Sequence, residues 1–389
     1  TLHATFIFAV YYVGSVSPKT GSAEWAWMNS LAALTIAVVC PIIGASADQK
    51  ANRKTWLGIM MATGIITTGL LWFVKPNSNW MLYALILSYL SIVSMESLFT
   101  FYNALLPSIV KKDKIGSVSG FSWAAGYFGA ILCLALVLVI FILPEEAPFG
   151  LQKEQAEQVR ITMPFCAIWL LIFGLPLFIW IKEPHFKNEK VSLFKTVEQG
   201  IQTARTIPGL VRFLIARMIY ADALVVVFAF GGIYATNVFG FTQDEVIGFA
   251  IGINLTAGIG AAIIGWFEDR IGGFKTIRLS LFCLIGLSFI VLIAPTKDLF
   301  LLSALIMGIF IGPLQSASRT VVARVTPPEQ MARIFGIYMI SGKATSFLGP
   351  LLYGILFTIF DSDRAGMSIA VLFLLIGILV LGRDLESEN

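Results

Sequence analysis

The chain contains 389 residues, of which 57% are hydrophobic and only 13% are charged, and its mean hydropathy is +0.84. A soluble domain of ordinary composition has about 25% charged residues, so this chain lacks the charge needed to cover a large water-facing surface. The net charge of +4 is too small to indicate nucleic-acid binding, and the composition therefore indicates a protein with many membrane spans.

Twelve apolar stretches, separated by polar or helix-breaking residues, follow one another along the chain. A helix needs about 20 residues to cross the hydrocarbon core, so the first stretch predicts a helix truncated at its amino end. The predicted spans are 1–14 (partial), 23–46, 54–74, 80–107, 119–143, 160–182, 209–237, 244–266, 275–294, 298–322, 331–360 and 365–382.

The largest polar gap, residues 183–208, lies between the sixth and seventh spans. It predicts an amino-terminal bundle over 1–182, a cytoplasmic linker, and a carboxy-terminal bundle over 209–389. Within the linker, apolar residues recur at near-helical spacing among charged ones. This pattern predicts an amphipathic helix, either on the membrane surface or in water.

The basic residues predict the orientation of the chain. If the second span ends in the cytoplasm, eighteen of the 27 Lys and Arg residues flank spans on that side, and three lie inside spans. Such a bias predicts cytoplasmic termini and suits a bacterial inner membrane. The six basic residues on the opposite side are Lys19, Lys75, Lys153, Arg160, Lys297 and Arg364.

Two similar segments follow the second and eighth spans. Residues 44–54 read GASADQKANRK and residues 265–275 read GWFEDRIGGFK, which share G-x-x-x-D followed by basic residues. Gly permits close helix approach, Asp can accept from a helix amino terminus or an Arg, and basic residues favour the cytoplasmic face. A single copy could be an ordinary basic loop, but two copies at matching places favour a conformational latch. The latch candidates are Gly44, Asp48, Arg53, Lys54, Gly265, Asp269, Arg270 and Lys275.

A second pair of similar segments links the halves. Its equivalent residues are 216 positions apart in the chain, whereas those of the latch segments are 221 positions apart. It aligns Gly120 with Gly336 and Gly126 with Gly342. Two such correspondences indicate that the halves are diverged repeats.

The latch segments resemble the loop pattern G-x-x-x-D-R-x-G-R-K of the major facilitator superfamily. Gln49 stands where that pattern has Arg, Ala51 where it has Gly, and Phe274 where a basic residue is common. The resemblance implies an all-α membrane protein whose twelve transmembrane helices form two pseudo-symmetric six-helix bundles.

A narrower resemblance, to the vacuole-effluxer-like branch, extends over nearly the whole chain. That branch includes bacterial transporters of uncertain substrate and fungal proteins tied to release of amino acids from the vacuole. Its usual Asp-Gly pair is Asp222-Ala223 here, and its first-helix Tyr-Asp-Trp motif is absent. The matching segments are SGFSWAAGYFG at 119–129, YAD at 220–222, GGIYA at 231–235, QSASR at 315–319, FGIY at 335–338 and SGKAT at 341–345.

Five charged residues do not sort to either membrane face: Glu96, Arg217, Asp222, Arg319 and Lys343. A charge in the hydrocarbon layer costs about 2.5–3.5 kcal/mol on insertion scales, so such residues are paired, hydrated or functional. Asp222 lies about 20 Å into the seventh span at 1.5 Å per residue, where a carboxyl group could bind and release a proton. The alternative is a structural ion pair with Arg217 or Lys343.

Glu96 is followed by a polar strip on the fourth span, which indicates a cavity or, alternatively, an interhelical hydrogen bond. At the 216 offset, Arg319 and Lys343 correspond to Asn103 and Tyr127, so basic charge lies on one side only of the predicted cavity. This asymmetry predicts an anionic or zwitterionic substrate, although Arg319 could instead extend to the interface. Further pathway candidates are Asn103, Gln315, Tyr220, Trp123 and Tyr127.

The sequence thus predicts a secondary transporter of a small polar solute, such as an amino acid, that works by alternating access. Proton coupling and export are expected, together with a monomer. The competing class is a membrane-embedded enzyme or a non-transporting sensor, but the two histidines, His3 and His185, are far apart in sequence. The four cysteines lie in apolar runs without CxxC spacing, so no metal site, disulfide or cofactor is expected.

Overall fold

The computed structural model describes residues 8, 11–17, 21–50, 52–146, 148–182 and 193–382. Within these ranges eleven helices are long and apolar enough to cross a membrane, which confirms the predicted all-α membrane fold. His3, His185 and most of the predicted first span lie outside the described residues. We keep the ordinal numbers of the predicted spans, so the eleven helices are the second to twelfth spans.

The observed helices follow the predicted spans closely. The bounds are Gly21–Lys50, Arg53–Leu70, Met81–Ile109, Ile115–Val137, Thr162–Trp180, Leu210–Phe239, Gln243–Ile271, Gly273–Ile293, Lys297–Val325, Met331–Lys343 continued by Leu348–Phe360, and Asp363–Leu381.

Two features differ from the prediction. The second and eighth helices continue to Lys50 and Ile271, so both latch aspartates lie in final helical turns rather than in loops. The eleventh span is interrupted at residues 344–347, where the Ser346 amide donates to the Lys343 carbonyl (3.3 Å) in a three-residue turn. Gly342 precedes this break and Gly349-Pro350 follow it, and the ring nitrogen of Pro350 cannot donate to the Ser346 carbonyl one turn earlier.

Basic side chains cap the carbonyl ends of several helices, where the partial negative charge of the backbone is concentrated. Lys54 Nζ donates to the carbonyls of Phe178 (2.6 Å) and Ile181 (2.7 Å) at the end of the sixth span. These two contacts lie within its own half, and the assignment of Lys54 to the latch stays a prediction.

The linker contains the predicted helix, at Leu193–Thr206, while residues 183–192 lie outside the described part. The helix packs against both the second and the eleventh spans. A Cβ atom on Gly200 would lie 2.8 Å from Arg333 Cγ, and Ala204 is buried. The linker helix therefore contacts spans of both halves instead of lying free in water. The bundle boundaries at 182 and 209 remain predictions.

Within the carboxy-terminal half, small residues allow the eighth and tenth spans to pack backbone against backbone. A Cβ atom on Gly260 would lie 2.7 Å from Ile309 Cα, whereas one on Gly248, in the same helix, would meet nothing within 4 Å. Close approach of this kind is the usual basis of helix association in lipid, where the hydrophobic effect does not drive helices together.

We expect Gly260→Ala to destabilise the protein, because a backbone atom cannot move aside as a flexible side chain can. Overpacking of this kind costs about 1–3 kcal/mol. Thermal unfolding of the detergent-purified protein, followed by tryptophan fluorescence, should show a lower midpoint than for Gly248→Ala, the matched control. Equal midpoints for the two variants would contradict the packing described here.

Candidate functional site

The end of the second span caps the amino terminus of the eleventh span, in the opposite half. Asp48 Oδ1 accepts from the amide of Ala332 (3.1 Å) and Oδ2 from the amide of Arg333 (2.7 Å). Arg53 Nη2 lies 2.7 Å from Asp48 Oδ1 and donates to the Pro328 carbonyl at 2.6 Å. Both side chains are buried. A carboxylate at a helix amino terminus is favourable because it meets unsatisfied amides and the positive end of the helix dipole.

The end of the eighth span caps the amino terminus of the fifth span in the same way. Asp269 Oδ1 accepts from the amide of Gly116 (2.7 Å), and Oδ2 accepts from the amide of Ser117 (2.9 Å) and from its hydroxyl. Arg324 Nη2, from the tenth span, lies 3.4 Å from Asp269 and 3.5 Å from Glu268. Each half thus caps a helix of the other half. We call the membrane face that carries both caps the latch face.

Glycines bring the capping helices close enough for these contacts. A Cβ atom on Gly336 would lie 2.7 Å from a carbonyl oxygen of the second span, and one on Gly120 would lie 2.7 Å from Gly265 Cα. Gly44 likewise abuts the backbone of the eleventh span. The spacing of G-x-x-x-D therefore places the glycine contact and the carboxylate cap one helical turn apart on the same partner helix.

The remaining basic latch candidates do not join the halves in the described contacts. Arg270 is exposed and lies over the Trp266 ring of its own helix, 4.5 Å from the centroid, and Lys275 is exposed. The basic partner of Asp269 is instead Arg324. Neither Arg324 nor Glu268 was predicted, because Arg324 comes from another helix and Glu268 occupies a variable position of the G-x-x-x-D motif.

Arg319 joins the halves deeper in the bundle, along the seam where the fourth and fifth spans meet the tenth. Its Nε donates to Ser119 Oγ (2.7 Å), Nη2 to the Ser119 carbonyl (2.8 Å), and Nη1 to Asn103 Oδ1 (3.3 Å). The guanidinium lies 5.5 Å from the ring centre of Tyr102 and 5.8 Å from that of Trp123. Arg319 is only 2% exposed, which makes the alternative of an interfacial side chain wrong.

The partners of Arg319 are all uncharged. Among the described residues no carboxylate lies within ion-pair distance of its guanidinium. A buried charge without an opposite charge is unfavourable, and aromatic faces offset only part of that cost. The site around Arg319 is therefore suited to an anionic group that is not part of the seam.

One and two helical turns from Ser119, the fifth span presents Trp123 and Tyr127 to the same seam. Gln315 Nε2, one turn from Arg319, donates to Tyr127 Oη at 3.4 Å. The Trp123 and Tyr127 rings lie 6.1 Å apart, and the buried Trp123 Nε1 has no hydrogen-bond partner among the described residues. Tyr220 differs, because its hydroxyl lies 2.7 Å from Ser318 Oγ and is buried inside the carboxy-terminal half.

Lys343 and Glu96 form an ion pair between the eleventh and fourth spans. The Lys343 Nζ to Glu96 Oε1 distance is 2.7 Å, and the side chains are 30% and 15% exposed. Lys343 lies twelve residues into the eleventh span, about 18 Å at 1.5 Å per residue, directly before the break in that helix. The pair is therefore accessible and near the centre of the membrane-spanning region.

Asp222 is not in the ion pair that the sequence left open as an alternative. Lys343 pairs with Glu96, and Arg217 donates to the Tyr338 carbonyl (2.9 Å) and Ser341 Oγ (2.6 Å). Asp222 is 3% exposed. Its carboxyl group lies beside the Thr345 hydroxyl at the break, and Asp222 Oδ1 and Thr345 Oγ1 are buried without hydrogen-bond partners among the described residues.

The eleventh span changes its packing partners at the break. The helix Met331–Lys343 packs against the second span, whereas its continuation Leu348–Phe360 packs against the seventh and twelfth spans of its own half. On the fifth span, Gly120 contacts the opposite half and Tyr127 packs against Gly258 of the eighth span, whereas Cβ atoms on Gly126 and Gly129 would meet nothing within 4 Å. The fifth and eighth spans thus stay in contact as far as Tyr127, while the eleventh span turns back to its own half at the break.

Comparison with known proteins agrees with this architecture. The family described as vacuole effluxer Atg22-like matches residues 9–384. The uncharacterized MFS-type transporter YxiO of Bacillus subtilis is 22% identical over 97% of this chain and 89% of its own length. Autophagy-related protein 22-1 of Aspergillus niger is 23% identical over 66% of this chain, and the match spans 44% of that longer protein.

Solved structures share the fold at low identity. The human organic anion transporter MFSD10 superposes with a TM-score of 0.76 at 13% identity, covering 98% of this chain and 94% of that one. The major facilitator transporter FucP in its outward conformation gives 0.74 at 14% identity, covering 98% of both chains.

We expect Asp48→Asn and Asp269→Asn each to loosen the latch face, because each removes a charge that caps a helix of the other half. The native Cys40 is a suitable reporter, since it is fully buried in the second span where that span meets the eleventh. With Cys133, Cys166 and Cys283 replaced by Ser, alkylation of Cys40 by a maleimide should become about 5 to 30 times faster, as for a loss of about 1–2 kcal/mol.

The matched control is Glu245→Gln. Glu245 also carries an ion pair, at 2.5 Å to Lys297, but it lies at the start of the eighth span, the end away from the latch. Its replacement should leave the alkylation rate unchanged. Unchanged rates in both aspartate variants would show that the caps do not hold this face closed.

Proposed function

The chain belongs to the vacuole effluxer Atg22-like family and is a membrane transporter of the major facilitator type, and from this premise we propose that it moves a small anionic or zwitterionic solute, such as an amino acid, by alternating access. The observation that carries this proposal is Arg319, a buried guanidinium in the seam with uncharged partners. A carboxylate or phosphate on the solute would supply the missing negative charge, and Arg binds either group in a forked geometry.

The Lys343–Glu96 pair supplies a second recognition element. Because both side chains are partly exposed, a solute can reach them. A carboxylate would compete with Glu96 for Lys343, and an ammonium group would compete with Lys343 for Glu96. A zwitterion can satisfy both members at once, which favours amino-acid-like solutes over solutes with a single charge. Trp123 and Tyr127 line the same seam and offer apolar surface to a side chain.

Alternating access would proceed by breaking the latch contacts while the opposite end closes. We place the latch face on the cytoplasmic side of a bacterial inner membrane, with both termini on that side, because eighteen of 27 basic residues flank spans there. The conformation described here then faces outward. A monomer is sufficient for this mechanism, since both halves and the seam come from one chain.

Asp222 is the proposed site of proton coupling, with Glu96 as the second carboxyl group. Asp222 is buried beside the break in the eleventh span, and its Oδ1 atom has no partner among the described residues. A buried carboxyl group in such a place is more stable when protonated, and a rearrangement at the break would expose it and release the proton. Asp222 lies beside this break and Lys343 directly precedes it. A rearrangement of the break would therefore act on the proton site and on the solute-binding lysine together. Export would result if a proton enters the cell in exchange for each solute that leaves.

To test the solute class, the purified protein is screened by thermal unfolding against amino acids, organic acids, sugars and amines. Ligands that raise the midpoint are then tested as substrates by counterflow in proteoliposomes. We expect anionic or zwitterionic solutes to be selected, and Arg319→Gln to lower counterflow at least about tenfold, as for loss of a charge-assisted hydrogen bond. Arg270→Gln, which removes an exposed charge at the latch face, is the matched control. Selection of amines or sugars alone would contradict the assignment.

To test coupling, Asp222→Asn is compared with wild type in two assays. Counterflow needs no net proton movement, so the variant should retain it, whereas accumulation driven by a pH gradient should be lost. The control is again Glu245→Gln. If gradient-driven accumulation survives in Asp222→Asn, the proton does not pass through this residue, and the same comparison with Glu96→Gln decides whether Glu96 carries it.

A further inference from the structure

Two cysteines lie side by side where the fifth and sixth spans meet. The sulfur atoms of Cys133 and Cys166 are 3.8 Å apart, although the two residues are 33 positions apart in the chain. Both are free thiols in this structure. The absence of CxxC spacing in the sequence therefore does not exclude a cysteine pair, because the helix packing brings together two cysteines from different spans.

The cysteine pair lies in the amino-terminal half, away from the latch face. The fifth span begins at the latch face, where Asp269 caps Gly116, and Cys133 lies about 27 Å further along it at 1.5 Å per residue. Cys166 lies four residues after Thr162, where the sixth span begins at the opposite face. In the proposed orientation that face is outside the cell, which is where disulfides form and persist.

The surroundings of the two thiols are apolar. Cys133 is 7% exposed and Cys166 is 3% exposed, and both pack in a cluster that includes Tyr11 and Tyr12. A single cysteine in such a place acts as a small hydrophobic residue. Leu132, next to Cys133, is 53% exposed on the outside of the bundle, so a small apolar reagent dissolved in lipid comes close to the pair.

A covalent bond at this place would join two helices that otherwise touch little. The fifth span packs chiefly against the eighth and tenth spans, which belong to the opposite half, and only slightly against the sixth. Beyond Cys133 its α-helix ends at Val137 and continues as a π-helical segment, Leu138–Ile142. A disulfide would therefore attach the outer part of the fifth span to its own half.

We propose that Cys133 and Cys166 form a redox-active pair, which small disulfide compounds oxidise to a disulfide between the fifth and sixth spans. One cysteine sulfur attacks the compound, which releases one thiol and leaves a mixed disulfide on the protein. The second cysteine sulfur then attacks the first and releases the other thiol. Both cysteines are oxidised, the compound is reduced to two thiols, and these carry away the two protons. This modification does not depend on the proposed solute.

The probe for this reaction is dipyridyl disulfide, a small apolar disulfide. The full chain, with Cys40 and Cys283 replaced by Ser, is reduced, freed of reductant in detergent and treated with one equivalent of the probe. We expect the intact mass to decrease by two hydrogen atoms, because Cys133 and Cys166 bond to each other. A thiopyridyl group left on either cysteine, or two unreacted thiols, would overturn the proposal.

A relocated thiol provides the matched control. In the same background, Cys133→Ser combined with Leu132→Cys keeps two thiols but places one on the exposed side of the fifth span. Because a disulfide requires nearby and correctly directed Cβ atoms, this variant should form at least about tenfold less intramolecular disulfide and should retain thiopyridyl groups instead. Equal cross-linking in the two proteins would show that the contact between the fifth and sixth spans does not select the pair.

Thermal unfolding measures what the bond does to the protein. The oxidised protein should unfold at a midpoint about 5 °C or more above that of the reduced protein, because the disulfide closes a long loop and restricts the unfolded chain. Dithiothreitol should remove the difference, and Cys133→Ser should show none. An equal or lower midpoint after oxidation would contradict the claim that the two thiols already lie in position to bond. Neither assay needs a transported solute, so failure of the substrate screen would not be confused with failure of this proposal.

Discussion

Carboxylates that cap helices of the opposite half are the interactions on which this arrangement depends. Asp48 binds the amides of Ala332 and Arg333, and Asp269 binds those of Gly116 and Ser117. The amides that begin a helix have no partner within that helix, and lipid offers them none. The carboxylates that bind these amides come from the other half. The hydrogen bonds at both helix termini are therefore lost when the two halves move apart at this face.

The repeat explains why there are two such contacts. The latch segments are offset by 221 positions and the helices that they cap by 216, so each member of one repeated pair meets a member of the other. Arg319 bonds to Asn103, and these residues are themselves equivalent at the 216 offset. Residues that contact their own repeat mates lie near the pseudo-twofold axis. At this axis the carboxy-terminal repeat has the cation Arg319 where the amino-terminal repeat has the neutral Asn103. The charge in the seam therefore lies on the carboxy-terminal side.

The charged groups of the latch face and the seam are compensated to different degrees, and the proposed mechanism rests on this difference. Asp48 has a cation and two amides, Glu96 has Lys343, Arg319 has uncharged partners, and Asp222 has an oxygen without a described partner. Incompletely paired charges are costly in a membrane interior unless a ligand or a proton completes them. In the proposed mechanism the paired groups at the latch face hold it closed, Arg319 and Asp222 are completed by solute and proton, and the accessible Lys343–Glu96 pair also contacts the solute. The linker helix adds a contact that touches both halves and faces the lipid.

The sequence by itself determined the elements of the fold, because membrane spans are set by local hydropathy and length. The second to twelfth predicted spans agree with the observed helices, and the offsets of 216 and 221 indicate the repeat from sequence alone. Sequence also picked out the five intramembrane charges, since each contradicts its apolar surroundings. Pairings were decided only by tertiary structure. Lys343 could have met Asp222 or Glu96, and Asp269 takes its Arg from the tenth span rather than from its own motif. Which side chains meet depends on how helices rotate and pack, and that is a property of the whole bundle rather than of any one span.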